Sequence, residues 1–446
     1  MTRLVAAPAH VAPAGTLVVL DVRPLQEPER TPITAEYLGN LLEAYTADPL
    51  PGESFVVVSR ALRPDPTVEL EGRGLPVHAR RRLPPTSAVF RSAGLTLDSF
   101  LLRGAELGVS DAADERVEAA RADAPPRADA PAQADRVRGL GAIYHTAGGA
   151  VPLASQLPVV ATLLDLAPWE LPATYAASAA ARFGHRLRAR ILHDAARVIV
   201  CSRATAESAR RKLHLPAEKI CVVPLAVDEA FRAAGRDEAR LAALRGRLGM
   251  PARYLVFSGR YDARKDLGTL FRALGRLRQE FAHDAEGPPT VALAIKYELD
   301  EDRAAVQRAV ARSGVPQMLH VVPALSREDR AALIGGAVAL VYPSLSEATG
   351  LSALEALSVG VPVICSRAGA LPEIVGSAGI VVEPQDPARL AAALSALWAG
   401  GPLSEQLRNQ AQKRSESMTR TWRDVARETR EVYAAAAATA RSARAR

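Results

Sequence analysis

Short apolar runs alternate with longer amphipathic stretches along most of this chain. "TLVVLDVRP" (16–24) is rich in valine and leucine and ends in a proline, which predicts a strand buried on both faces of a parallel sheet. After a loop, Ile33, Tyr37, Leu38, Leu41, Leu42 and Tyr45 recur at helical spacing and complete a strand–helix unit. "GAIYHTAGG", "PVVATLLDLAP", "ARVIVCS" and "KICVVPLAVD" continue the series, each running into a polar or proline-containing loop. A charged helical segment, "RDEARLAALRGRLG", leads to a second series: "YLVFSG", "VALAIKY", "MLHVVPA", "AVALVYPS", "VPVICS" and "GIVVEP". Helices lie between these runs, such as the one carrying Leu267, Leu270, Phe271, Leu274 and Leu277.

This alternation predicts an α/β protein of two Rossmann-like, doubly wound domains facing a central cleft, with ligands at the carboxyl ends of the strands. The expected division is 1–235 and 250–415, followed by a helix over 416–440 that carries Trp422, Val425, Ala426 and Val432 back onto the first domain. Residues 110–136, "SDAADERVEAARADAPPRADAPAQADR", have no large apolar stripe and read as a low-complexity excursion outside the core.

Composition narrows the picture. A length of 446 residues suits two domains of ordinary size, and 48% hydrophobic with 24% charged residues is the balance of a soluble globular chain. Three scattered cysteines make no disulfide framework and no metal-ligand pair, which points to a reducing, cytoplasmic setting. The uncharged run from Gly139 to Leu164 is broken by His145, Pro152, Gln156 and Pro158, so it reads as loops and strands rather than a membrane span. Prolines and a histidine interrupt "MTRLVAAPAHVAPAG", so no signal peptide is expected there.

A net charge of +7 favours anionic partners such as nucleotides or an anionic membrane surface. Nucleic acid is set aside, because only 4% of residues are aromatic and no stacking motif occurs. The Arg-rich run "ARFGHRLRARILHDAAR" reads first as a solvated face anchored by Leu187, Ile191 and Leu192; peripheral contact with anionic lipid is its alternative.

The chemistry concentrates at two strand ends. In "YPSLSEATGLSALEALSVGVPV", Gly350 precedes a helix bounded by Gly360 and Pro362, so the N–H groups of Gly350 and Leu351 are expected at a helix N-terminus suited to an anion. Glu347 lies upstream in the loop and Glu355 about one turn into the helix. Carboxylates flanking an anion site make sense as acceptors for hydroxyls on either side of it, a sugar ring at one end and a ribose at the other. The neutralising charge comes from "SGRYDARKD", which places Arg260 and Lys265 on another strand-end loop.

These segments, with "VVEPQDPARLAAAL", "YHTAGGAVPLASQLPVVATLLDLAP", "VIVCSRATAESARRKL" and "KICVVPLAVDEAF", closely resemble glycosyltransferase family 4, the retaining glycosyltransferases of GT-B fold. The resemblance implies that Arg260 and Lys265 bind the donor diphosphate, with Gly350 and Leu351 at the phosphates, Glu347 at the donor sugar and Glu355 at the ribose. It implies a nucleotide-sugar donor, GDP- or UDP-linked, a glycan or lipid-linked acceptor, and retention of configuration without a protein nucleophile. Arg260, Lys265 and Glu347 are then the catalytic candidates. No other cofactor and no metal are expected; the Asp-x-Asp triplet in "LDED" (299–302) reads as acidic capping of the following helix.

Three positions depart from the family pattern. Leu164 precedes Asp165 where the family usually has a histidine, Pro32 in "TPITAEY" replaces a glycine, and "EATGLS" stands where the family has E-G-F-G-L-P. Pro32, His145, Leu164 and Asp165 are the candidates for the acceptor side of the cleft. Unusual acceptor recognition is the favoured reading of these changes, and a catalytically weakened subunit that binds nucleotide sugar or a partner enzyme is the rival. His145 is also open to a structural role, and Glu373 reads as the cap of the helix that follows it.

Overall fold

Valine- and leucine-rich runs become strands because both faces of each are covered by helices. The computed structural model describes residues 16–83, 142–147, 155, 157–281, 287–296 and 300–444; the segment 110–136 lies outside them. In the first domain β1 (Leu17–Asp21), β2 (Ser54–Arg60), β3 (Val77–Leu83), β4 (Ile143–Ala147), β5 (Val159–Leu163), β6 (Arg197–Val200) and β7 (Ile220–Val222) form a parallel sheet in the order β3-β2-β1-β4-β5-β6-β7. In the second, β8 (Leu255–Arg260), β9 (Val291–Lys296), β10 (Leu319–Val322), β11 (Leu340–Tyr342), β12 (Val363–Ser366) and β13 (Gly379–Val382) are ordered β10-β9-β8-β11-β12-β13, again all parallel. Each order reverses once, between β1 and β4 and between β8 and β11, and such switch points open crevices at the carboxyl ends of the strands.

The helices that matter here are α1 (Pro32–Ala47), α2 (Ala179–Asp194), α3 (Arg203–Leu213), α4 (Glu229–Gly235), α5 (Leu267–Glu280), α6 (Arg327–Gly335), α7 (Leu351–Ser358), α8 (Leu371–Val375) and α9 (Trp422–Arg444). Pro32 opens α1 at a position where the missing N–H has no helical partner to lose, so the proline is accommodated without a kink. Val227 and Phe231 pack into the second core, so the division between domains falls ahead of α4 rather than at residue 235.

The last helix returns to the first domain, where Trp422, Val425, Ala426 and Val432 join the core built by Leu38, Leu41 and Phe55. It is also held by polar contacts. Arg430 donates to both Glu53 carboxylate oxygens at 2.9 and 2.7 Å, and Tyr433 meets His145 Nδ1 at 2.7 Å while Thr162 takes Nε2 at 2.9 Å. His145 is therefore fully buried against α9 and does not face the cleft, which corrects its placement on the acceptor side.

Burial lowers the His145 pKa to about 3, against an opposing push from Asp21. Its ordinary value is 6.5, so the unfolded chain takes up a proton that the folded chain refuses as pH falls below that point. His145 thus erodes stability by about 1.4 kcal/mol per pH unit on acidification. A His145→Gln variant is expected to lose about 2 kcal/mol less than the parent between about pH 7.5 and pH 5. Denaturant titrations at the two pH values check this, and parallel losses in both proteins would refute it.

Candidate active site

The switch point between β8 and β11 gathers the predicted donor-side residues. Arg260 ends β8, and the 3-10 turn Ala263–Lys265 follows it. Glu347 lies in the loop between β11 and α7, and Glu355 is inside α7. Arg260, Lys265, Glu347, Leu351 and Glu355 line one cleft cavity of about 40 Å3, with Pro32 from the first domain across it. Ser258 Oγ, on the same lining, is buried without a hydrogen-bond partner among the described residues.

The Glu347 loop is pinned by its own backbone. Ala370 N–H donates to the Glu347 carbonyl at 2.8 Å, and Gly369, at φ +48°, leaves no room for a Cβ against that carbonyl. Lys265 and Glu347 form a direct ion pair, each 2% exposed, and Lys265 Nζ also donates to the Tyr342 hydroxyl at 2.5 Å. Burial pushes the Glu347 carboxyl up, but Lys265 and Arg264, together with hydrogen bonds from Lys265 and Gly350, overcome it and hold the pKa at about 2. Burial is likewise the largest single influence on the Lys265 ammonium and disfavours it, but Glu347 and Tyr342 together outweigh it and raise the pKa. The pair is charged at neutral pH. Glu347 is thus an acceptor for hydroxyls and has no proton to give.

Gly350 N–H is not left open at the helix N-terminus: it donates to Glu347 Oε1 at 3.3 Å, and Thr349 Oγ1 donates to the same oxygen. Leu351 instead contributes its side chain to the packing against the first core. Arg260 is half-buried and reaches the Arg30 carbonyl at 3.3 Å.

On the first-domain side Leu164 is turned into the core at 3% exposure. Asp165 carries the polar group. It accepts from the Ala167 N–H at 2.9 Å and from Arg264 Nη1, across the cleft, at 2.9 Å.

Other contacts also join the domains. Ser346 donates to Glu170 at 2.5 Å and Thr205 to the Ala348 carbonyl at 2.7 Å. Glu373, expected to cap the helix that follows it, instead lies inside α8, and its carboxylate accepts from the N–H groups of Arg203 and Ala204 at the start of α3. Arg264, Glu36, Glu170 and Arg330 were not singled out from sequence. Only Arg264 carried a signal, as a further cation inside the quoted "SGRYDARKD".

Two further spaces adjoin the cleft. A cavity of about 240 Å3 lies at the ends of β9 and β10, lined by Ala294, Ile295, Pro323, Ala324, Leu325 and Arg330. An open groove of about 610 Å3 runs over α1 past Glu36, Asn40 and Glu43. A separate cavity of about 350 Å3 behind the junction, floored by Pro224, Leu225 and Met418, contains none of the candidate residues. Among the described residues no group of three or more His, Cys, Asp or Glu is placed to hold a metal, and no helix is long and apolar enough to cross a membrane.

Two Rossmann-like parallel-sheet domains, each with a switch point at the carboxyl ends of its strands, are the GT-B fold. Comparison with known proteins agrees. Residues 246–414 match the family "Glycosyl transferases group 1" and residues 133–231 match "Glycosyltransferase Family 4". The chain is a GT-B-fold relative of these glycosyltransferases.

It is 29% identical over 250 residues to an MMP alpha-(1->4)-mannosyltransferase of Mycolicibacterium hassiacum, covering 55% of this chain and 56% of that protein. A D-inositol 3-phosphate glycosyltransferase of Streptomyces scabiei is 32% identical over 259 residues, 55% of each chain. The chain thus spans about half the length of these curated relatives. Sucrose-phosphate synthase from Thermosynechococcus elongatus shares the fold over 94% of this chain and 98% of its own, with a TM-score of 0.62 and 19% identity.

Proposed function

We propose that this chain transfers a hexose, mannose or glucose, from a GDP- or UDP-linked donor to a glycan, lipid-linked or small-molecule acceptor. The observation that carries this reading is the convergence of Arg260, Lys265, Glu347 and Glu355 on one cavity at the β8/β11 switch point. Each group meets a part of such a donor. Arg260 and Lys265 face the diphosphate, and the Ser258 hydroxyl, without a partner among the described residues, has hydrogen-bonding capacity to spare there. Glu347, held ionised, accepts from sugar hydroxyls. Glu355 takes the ribose, and the slot at the ends of β9 and β10, apolar apart from Glu29 and Arg330, suits a flat base. The relatives named as a mannosyltransferase and as an inositol phosphate glycosyltransferase fit the same donor class.

In this reading the acceptor hydroxyl attacks the anomeric carbon on the face from which the diphosphate leaves. The departing diphosphate oxygen takes the acceptor's proton, and Arg260 and Lys265 stabilise the charge that develops on it. Configuration is retained, and no metal is needed to offset the phosphates.

The donor extends from the cleft cavity of about 40 Å3 into the slot of about 240 Å3, which shares Pro32 and Arg330 with it. Thermal unfolding with GDP, UDP, ADP and their sugars tests the proposal. The cognate nucleotide at 100 times its Kd adds about 2.7 kcal/mol of stability. No shift with any of them at millimolar concentration would refute it.

One observation favours a second reading, a subunit that binds donor or a partner enzyme with little turnover: Leu164 presents no polar side chain to the acceptor side. Release and transfer of labelled sugar separate the two.

On the outside, α2 exposes Arg182, Arg186 and Arg190 along the stripe that carries Phe183, which is 61% exposed. This favours peripheral contact with the anionic inner face of a membrane. Flotation with phosphatidylglycerol vesicles is expected to carry the parent chain upward and to leave a Phe183→Ala, Arg186→Ala variant behind; equal flotation of both would exclude α2 as the contact.

A further inference from the structure

Arg330 of α6 occupies an unusual position. It lines the cleft cavity, the apolar slot and the groove over α1 at once. Its guanidinium lies 5.2 Å from the centre of the Phe231 ring, which fixes it to the second domain. One arm, Nη1, donates to Glu355 Oε2 at 2.5 Å, and the other, Nη2, reaches Glu36 Oε1 on α1 at 3.4 Å. Arg330 and Glu355 are 7% and 2% exposed, so this is a buried fork with one prong in each domain.

Resting on the nucleotide-sugar reading, we infer that Arg330 is a positioning residue: it orients Glu355 for the donor ribose and, through Glu36, ties an occupied ribose site to closure of the first domain. A carboxylate has about four acceptor positions. Arg330 engages one oxygen of the buried Glu355 through a charge-assisted hydrogen bond, which fixes the plane of the carboxylate. A carboxylate held in a fixed plane suits two neighbouring hydroxyls. The rigid, planar fork then makes the orientation of Glu355 depend on where Glu36 holds the second prong. Among the contacts joining the domains, this one shares a side chain with the group facing the ribose, which Ser346–Glu170 and Thr205–Ala348 do not.

The test uses the full chain and calorimetric titration with GDP and UDP, then with the 2′-deoxy and 3′-deoxy forms of whichever binds. In the parent, loss of one ribose hydroxyl is expected to weaken binding at least about 10-fold, as befits a hydrogen bond to a charged group. In Arg330→Met, which keeps the apolar contact with Phe231, binding falls about 10-fold and the deoxy penalty shrinks below about threefold. Glu36→Gln weakens binding in the parent but adds nothing in the Arg330→Met background.

An unchanged deoxy penalty in Arg330→Met, or effects of the two substitutions that simply multiply, would overturn the inference and leave the nucleotide site standing. Failure of the parent to bind either diphosphate would bring down both. Should Arg330→Met not fold, Arg330→Lys, which retains the charge without the fork, is expected to show the same loss of discrimination, and full retention would count against the role.

Discussion

Replacing Lys265 with alanine is expected to lower turnover about 100-fold or more and to destabilise the second domain at neutral pH. The catalytic part follows from removing one of the two cations proposed to face the leaving diphosphate, a loss comparable to deleting a charge-stabilising donor in other transfer reactions. The structural part follows from burial. Lys265 and Glu347 are each 2% exposed, and stripping one partner from such a pair leaves the other charge without its principal counter-ion, which costs about 3–5 kcal/mol.

The sign of the pH dependence adds a check. Glu347 titrates near 2 in the folded chain instead of its ordinary 4.5, so the stability it confers is present above 4.5 and disappears as pH falls towards 2. The gap between parent and variant should therefore narrow on acidification through that window. Arg260→Ala is expected to match the kinetic loss with a smaller structural one, because Arg260 is half-buried whereas Lys265 is 2% exposed. Near-normal rates in both variants would remove the assigned chemistry.

Gly335→Ala is expected to destabilise the second domain by about 3 kcal/mol or more. The helices α4 and α6 cross at Gly235 and Gly335, and a Cβ on Gly335 would fall well inside van der Waals contact of the Gly235 carbonyl oxygen. That neighbour is backbone, itself pressed on Val359, so neither helix can yield cheaply. Gly246→Ala is the control. It lies in the helix Glu238–Leu248, and a Cβ there meets nothing within 4 Å, so the substitution should be neutral or stabilise by about 0.5–1 kcal/mol. Calorimetric melts of the two variants distinguish a packing effect from a general intolerance of added side chains.

Much of the fold was legible because parallel strands covered on both faces must be continuous apolar runs, and most of the runs here were. The exceptions are instructive. β3, "VHARRRL", is an edge strand with a largely polar surface and leaves no such run, so its identity depends on pairing with β2. The donor-side residues were legible as a constellation because short loops at two adjacent strand ends carry them. Their pairing was not: nothing in the chain before folding says that Gly350 N–H turns to Glu347, or that the carboxylate of Glu373 crosses to α3. Long-range partners were hidden for the same reason. His145 and Tyr433 are 288 positions apart and Arg330 and Glu36 are 294 apart, distances over which only tertiary geometry assigns a contact.

The return of α9 has a bearing on how the chain is made. Trp422, Val425 and Tyr433 belong to the core of the first domain but are translated after the whole second sheet. On the ribosome the amino-terminal half begins first and is completed last, and its exposed apolar floor must be shielded until the final helix emerges to seal it.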